Sequence, residues 1–195
     1  MIELEYKYLL LKEAYDDIHQ LLQKSYEPLY VLNFNYYYDT PDFAFEQNGY
    51  TVRIRQVHDQ LTLDVKSPSH TKGYKRMRDE TSIPIDYFPQ KLVLKDWLNT
   101  LPATVSCDAD LLGLLVTERQ TFFLEEGVKA DLDKSSYLGV TDYELEIEFE
   151  SEKSEEAKSW FLKLTDGLEI PTNRKGKRTR FLSRFKQLYE KEECT

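Results

Sequence analysis

Ile2-Glu3-Leu4-Glu5-Tyr6-Lys7-Tyr8 opens the chain as a strict alternation, and its reading decides the fold. On an extended backbone Ile2, Leu4, Tyr6 and Tyr8 fall on one side and Glu3, Glu5 and Lys7 on the other. A single strand of this kind is ordinary, because a charged face is usually a wet one. The same division recurs, however, on six later segments. Arg53 and Arg55 stand opposite Val52 and Ile54, while Thr62, Asp64 and Lys66 stand opposite Leu61, Leu63 and Val65. Arg76, Arg78 and Glu80 oppose Met77 and Ile83, and Arg119 opposes Phe122 and Leu124. Lys129, Asp131 and Asp133 face away from Val128, Ala130 and Leu132. Glu144, Glu146 and Glu148 face away from Tyr143, Leu145, Ile147 and Phe149.

Helical spacing interrupts these strands. Ala14, Ile18, Leu21 and Leu22 predict an amphipathic helix over 12–24. An aromatic-rich strand over 29–38 ends at the turn Asp39-Thr40-Pro41, and Asn48-Gly49 leads into a hairpin over 50–57 and 61–66. A strand over 73–83 precedes a predicted helix at 86–101, with Phe88, Leu92, Trp97, Leu98 and Leu101 available for burial. Strands at 114–125, 128–133 and 142–150 follow. A helix then begins at Ser154, whose hydroxyl is placed to cap it, with Glu155 and Glu156 at its positive end. Ala157, Trp160, Phe161 and Leu164 form its buried stripe. The basic stretch 174–180 leads into a last helix carrying Phe181, Phe185 and Leu188. About eight strands with helices interspersed argue for an antiparallel α+β fold, one domain over residues 1–195.

A hydrophobic content of 41% supports one sizeable core. A net charge of −9 argues against nucleic acid as partner, since that role leaves a basic footprint. Cys107 and Cys194 form no CxxC pattern, so a reducing, cytoplasmic setting is expected. The charged opening excludes a signal peptide, and no apolar run reaches the roughly 18 residues that cross a bilayer.

If helices coat the apolar faces from outside, the charged faces line a closed lumen. Small barrels normally fill their interior with packed apolar side chains, so a charged interior demands a charged ligand. Lys7, Arg53, Arg55, Lys66, Arg76, Arg78, Arg119 and Lys129 suit a polyanion. Glu3, Glu5, Asp131, Asp133, Glu144, Glu146 and Glu148 would repel it, unless Mg²⁺ or Mn²⁺ joins carboxylate and phosphate oxygens. Cations and metal-binding carboxylates in one cavity form an arrangement for phosphoryl transfer.

At these residues the sequence resembles the CYTH family, the triphosphate tunnel metalloenzymes. Glu3-x-Glu5-x-Lys7 is similar to the family's ExExK strand, and Tyr38-Asp39-Thr40-Pro41 to its YDTP-like turn. Arg53-x-Arg55, Lys66, Arg78-Asp79-Glu80 and Arg119 follow in the family's order. So do Leu132-Asp133, Glu144-x-Glu146 and the segment 175–180. Two departures stand out: Thr117 replaces a frequent lysine, and Gly176 and Arg178 occupy the usual Ser and Tyr positions.

The resemblance implies an eight-stranded antiparallel β-barrel, the triphosphate tunnel, with helices packed outside. It implies a metal, Mg²⁺ or Mn²⁺, on Glu144, Glu146 and one aspartate, and a second at Glu3 and Glu5. Asp131 and Asp133 share parity, and the Leu-Asp match favours Asp133. Lys7, Arg53, Arg55, Lys66, Arg78, Arg119, Lys129, Lys175, Lys177 and Arg180 are the expected triphosphate ligands. Arg76 and Arg78 belong either to the mouth or to the substrate, and Glu148 either behind the metal ligands or near the mouth. Lys7, Glu3, Glu5, Glu144 and Glu146 are the expected catalytic set. Cleavage of tripolyphosphate, ATP or thiamine triphosphate is the leading expectation, in a monomer or homodimer without membrane or nucleic-acid partners. Cyclisation of ATP to cyclic AMP, as in class IV adenylate cyclases, is the second. A polyphosphate or nucleotide sensor without turnover is the third.

Overall fold

The computed structural model describes residues 2–68, 70–72, 75–93, 108–168 and 175–192. Among them ten strands are present: β1 (Ile2–Leu10), β2 (Leu29–Asp39), β3 (Thr51–Val57), β4 (Gln60–Lys66), β5 (His70–Lys72), β6 (Lys75–Ile85), β7 (Lys91–Val93), β8 (Asp108–Glu125), β9 (Val128–Tyr137) and β10 (Val140–Phe149). Four α-helices accompany them: α1 (Lys12–Gln23), α2 (Ala44–Gln47), α3 (Ser154–Leu164) and α4 (Lys177–Glu192).

Eight strands close a ring in the order β1-β10-β9-β8-β2-β3-β4-β6, and β6 returns to β1. Every pairing is antiparallel. The short strands β5 and β7 add to β6 and β8 outside the ring. Closure leaves the eight strands without a free edge along their paired lengths, which removes a template for unwanted pairing.

The alternation read from the sequence sets the two faces. Tyr6, Tyr8, Phe122, Ala130, Leu132, Leu145 and Ile147 form one outer cluster beneath Tyr15, Ile18 and Leu22 of α1 and Ala157, Phe161 and Leu164 of α3. Tyr6 stacks on both Phe149 and Phe161, at centroid distances of 5.2 and 5.3 Å. A second outer cluster holds Tyr38, Val52, Ile54, Leu63 and Val65 beneath Phe45, Leu92 and Ala109.

The helix expected at 86–101 is not what its first residues form. Residues 86–90 are irregular and Lys91–Val93 is strand β7, with Leu92 fully buried in the second cluster. Pro89 has no amide to continue a helix, and its carbonyl accepts the Tyr38 hydroxyl at 2.7 Å. Trp97, Leu98, Leu101 and both cysteines lie outside the described residues. Helix α3 also starts differently: a 3-10 turn, Ser151–Lys153, precedes it, so Ser154 is its first residue and Lys153 takes the cap position. No helix among the described residues is long and apolar enough to cross a membrane.

Helix α4 departs from the expected outer coat. Phe181 packs on Tyr37, Leu115 and Tyr137, residues on the inward side of their strands. The register proves the side, because Tyr37 is directly opposite Arg53, and Leu115 opposite Asn35. The helix therefore caps one end of the ring. Gly113 makes room for it. It has φ +153°, and a Cβ there would meet Phe181 Cζ at 3.1 Å. The β2–β8 register slips at this point, between Tyr37 and Tyr38. Gly113→Val is expected to destabilise the protein by roughly 1–3 kcal/mol through overpacking. Urea denaturation reads this, and an unchanged midpoint would contradict the fit of Phe181 against β8.

Candidate active site

The inward faces surround a cavity of about 420 Å³. Its wall includes Lys7, Arg53, Arg55, Lys66, Arg78, Arg119, Lys129, Lys175, Lys177 and Arg178, against Glu5, Glu80, Glu146 and Glu148. Ten cations against four carboxylates make the wall positive in a protein whose net charge is −9. Alternation explains the concentration, since each strand directs every second residue inward and the turns carry few of these groups.

Arg119 sits at the centre of the acidic side. Its Nε and Nη2 grip both oxygens of Asp133 at 2.7 Å, Nη1 reaches Asp131 at 2.7 Å, and Nη2 reaches Glu146 at 2.5 Å. Glu148 is 3.4 Å from Nη1. Asp131 also accepts the Thr121 hydroxyl at 2.5 Å. Lys177, from the first turn of α4, bridges Asp133, Glu144 and Glu146 at 2.7, 2.6 and 2.6 Å. Lys7 contacts Glu146 and lies 3.3 Å from Glu5 and 3.7 Å from Glu144.

The cationic side is held by fewer acids. Arg53 donates to Asp64 at 2.9 Å, and Asp64 also accepts Ser82 at 2.8 Å. Glu80 pairs with Lys66 at 2.9 Å and with Arg53 at 3.5 Å. Arg55 donates to the neutral Asn35 at 3.1 Å and is 3.8 Å from Asp64.

The electrostatics follow from this uneven sharing. Burial opposes the charge of Glu144, but Lys177, Lys7 and Arg180 outweigh it and hold the carboxyl down at about 2. Glu146 is held well below its ordinary range in the same way, by Lys177, Lys7 and Arg119 against its burial. Burial of Asp131 prevails over Arg119 and pushes it up to about 6. Burial and the neighbouring Arg53 push Arg55 down to about 10, with Asp64 opposing. Arg55, with Asp64 no nearer than 3.8 Å and the neutral Asn35 as its hydrogen-bond partner, is a place where phosphate oxygens are favoured.

Most of the residues singled out in the sequence meet here. Glu5, Lys7, Arg53, Arg55, Lys66, Arg78, Arg119, Lys129, Glu146, Lys175 and Lys177 line the cavity. Asp131, Asp133 and Glu144 are buried directly behind its wall. Arg180 turns away to Asp142 at 2.6 Å and Glu144 at 3.3 Å, so it braces a carboxylate without forming part of the wall. Glu3 pairs through its backbone with Arg78; the side chains of Glu3 and Arg76 lie outside the described residues.

Among the described residues, the acidic group compact enough for a cation is Asp131, Glu146 and Glu148, with ligand oxygens within 4.8 Å of one another. Three carboxylates and no nitrogen or sulfur donor suit a hard divalent cation. Glu148 joins the cluster because its register partner Lys129, at 2.8 Å, holds it beside Asp131. Asp133 and Glu144 fall outside that group and pair with Arg119, Lys177 and Arg180, although Arg119 holds Asp131 and Glu146 as well. Thr117, where a lysine is frequent, is buried and pairs with the Ser135 hydroxyl at 3.0 Å. Sequence reasoning overlooked Tyr37 and Thr51, which line the cavity. Inward parity alone could have found both.

A closed antiparallel ring of eight strands, with a cation-rich cavity and an acidic cluster on one wall, is the class of fold that these strands build. The chain belongs to the CYTH domain family, whose model matches residues 1–179. Among solved structures it is similar to a candidate adenylyl cyclase from Hippeastrum, described as having a dominant triphosphatase activity. That match has a TM-score of 0.70 and 22% identity, over 93% of this chain and 95% of the other. A candidate adenylate cyclase from Bacillus halodurans matches with TM-score 0.66 and 26% identity, over 92% and 96%. The capping-enzyme triphosphatase of Mimivirus shares the fold at TM-score 0.51 and 12% identity, over 85% and 90%. No curated protein matches the chain.

Proposed function

We propose that the protein is a divalent-metal-dependent enzyme that cleaves a triphosphate, by hydrolysis, inside its ring. The observation that carries this reading is the wall itself: ten cations and four glutamates around about 420 Å³, two of the glutamates joining Asp131 in a three-carboxylate cluster. A sensor that only bound polyphosphate would need the cations but not the carboxylates, which repel its ligand.

In this reading Asp131, Glu146 and Glu148 hold the cation, Mg²⁺ or Mn²⁺, and Glu3 and Glu5 stand beside β10 and β6 for a second. When bound, the metal neutralises charge on the phosphoryl oxygens and lowers the pKa of a water. Arg53, Arg55 and Arg78 grip phosphate oxygens through planar forks, Lys66, Lys129 and Lys175 add compact charge, and Arg119 holds the facing carboxylates while adding its own charge to the wall. Lys7 and Lys177 flank Glu146, so both would place positive charge against phosphate oxygens next to a cation held there. Asp133 and Glu144 keep Arg119 and Lys177 in position.

A product assay tests the proposal. Purified protein with Mg²⁺ or Mn²⁺ is offered tripolyphosphate, ATP and thiamine triphosphate, and orthophosphate, pyrophosphate and cyclic AMP are resolved. Orthophosphate is the expected product, released with pyrophosphate from tripolyphosphate or with the diphosphate from ATP and thiamine triphosphate, and EDTA is expected to abolish its release until metal is restored in excess. Cyclic AMP with pyrophosphate would replace hydrolysis by cyclisation, the activity suggested by the candidate cyclase that is 26% identical. No product from any of the three would leave the sensor.

A further inference from the structure

The cavity wall contains a cation that the family pattern does not supply. Arg178 stands in the first turn of α4, is 9% exposed, and forms part of the wall beside Lys177 and Thr179. One terminal nitrogen, Nη2, donates to Asp39 at 2.6 Å. Its Nε is buried and meets no hydrogen-bond partner among the described residues.

Asp39 is a rigid mount. It is fully buried at the end of β2, where Oδ1 accepts the amides of Thr40 and Phe45, both at 2.9 Å. Oδ2 accepts the amide of Glu46 at 3.1 Å as well as Arg178. Three backbone donors thus fix the carboxylate before the arginine arrives. A second pair, Lys186 with Glu46, ties α4 to the same corner two turns further on.

A purely structural latch would gain little from this charge. A buried ion pair roughly breaks even against its desolvation, and a buried donor without a partner is a further cost. Unsatisfied buried polar groups in native proteins call for an explanation, and this one adjoins a cation-rich cavity. We infer that Arg178 is an additional anion-binding residue at the α4 end of the cavity, oriented by Asp39 to meet oxygens of the polyphosphate chain. The inference rests on the reading of the cavity as a polyphosphate site. It makes the capped end an attractive wall for anion, since Lys175, Lys177 and Arg178 come together there.

The test is calorimetric titration of tripolyphosphate, in EDTA, into the full chain and its variants, alongside thermal melting of each. Arg178→Gln is expected to weaken binding roughly ten- to hundredfold, the effect of losing a charge-assisted contact. Arg178→Lys is expected to lose several-fold, because a point charge replaces a fork held on one side. A melting temperature that falls while tripolyphosphate affinity stays at the wild-type value overturns the inference and leaves Arg178 a structural latch. Should the glutamine variant fail to fold, the lysine variant decides by the same criterion. Wild-type protein that binds no tripolyphosphate, either in EDTA or with Mg²⁺, overturns the polyphosphate reading itself, a result distinct from unequal or equal affinities among proteins that do bind.

Discussion

Glu146→Gln is expected to reduce kcat/KM for the cleaved triphosphate by roughly a hundred- to a thousandfold, the scale of removing one well-placed electrostatic group from an active site. Glutamine keeps the shape of the side chain and removes its charge. In the protein that charge is shared among Lys7, Arg119 at 2.5 Å and Lys177 at 2.6 Å, and it belongs to the three-carboxylate cluster. On the proposed function two losses coincide: a ligand for the cation, and the anion that spaces three cations around the phosphate. Thermal stability should fall much less, since Asp133 and Glu144 still neutralise Lys177. Steady-state kinetics and Mn²⁺ binding on the same preparation check the prediction. Near-normal turnover with weakened Mn²⁺ binding would detach the cluster from catalysis.

The largest effect on stability is expected at Phe181. Its ring is fully buried, 5.1 Å from Tyr37 and 6.0 Å from Tyr137 between centroids, against the bare face of Gly113. Phe181→Ala leaves a cavity under aromatic neighbours that the ring backbone holds apart, so it is expected to cost about 3–5 kcal/mol. For a chain of 195 residues that corresponds to a fall in Tm of roughly 6–20 °C. Leu162→Ala, at an exposed position on α3, is the matched control and should be nearly silent. Equal melting temperatures for the two variants would show that α4 is not an end cap. Turnover should drop as well, because Lys177 lies one helical turn before Phe181 and depends on the same docking.

The alternation of β1 predicted its two faces correctly, and the same reasoning placed Arg53, Arg55, Lys66, Asp131, Glu144 and Glu146 on the inward side. That success has a simple cause: parity is a local property, fixed by the two-residue period of a strand. Two features escaped because they depend on partners remote in sequence. Glu148 joins the acidic cluster through its neighbours on β9, which parity cannot rank against Glu144 or Asp133. The role of α4 escaped because its apolar stripe, Phe181 and Phe185, reads the same whether it covers the outside of a sheet or caps its end. Only the inward-facing Tyr37, Leu115 and Tyr137 distinguish the two. The start of the helix expected at 86–101 failed for a local reason, an apolar spacing taken for helical although Pro89 stands within it.

The closing strand of the ring is also the first one in the chain. β1 lies between β6 and β10, and its Lys7 meets Glu146 across 139 residues of sequence. During synthesis from the N-terminus the earliest strand therefore waits, with one edge open, until almost every other ring strand has emerged. Long-range closures of this kind slow folding and leave strand edges exposed to other chains meanwhile. The alternation of Glu3, Glu5 and Lys7 along that waiting strand keeps one of its faces charged throughout the interval, which disfavours aggregation before the ring is complete.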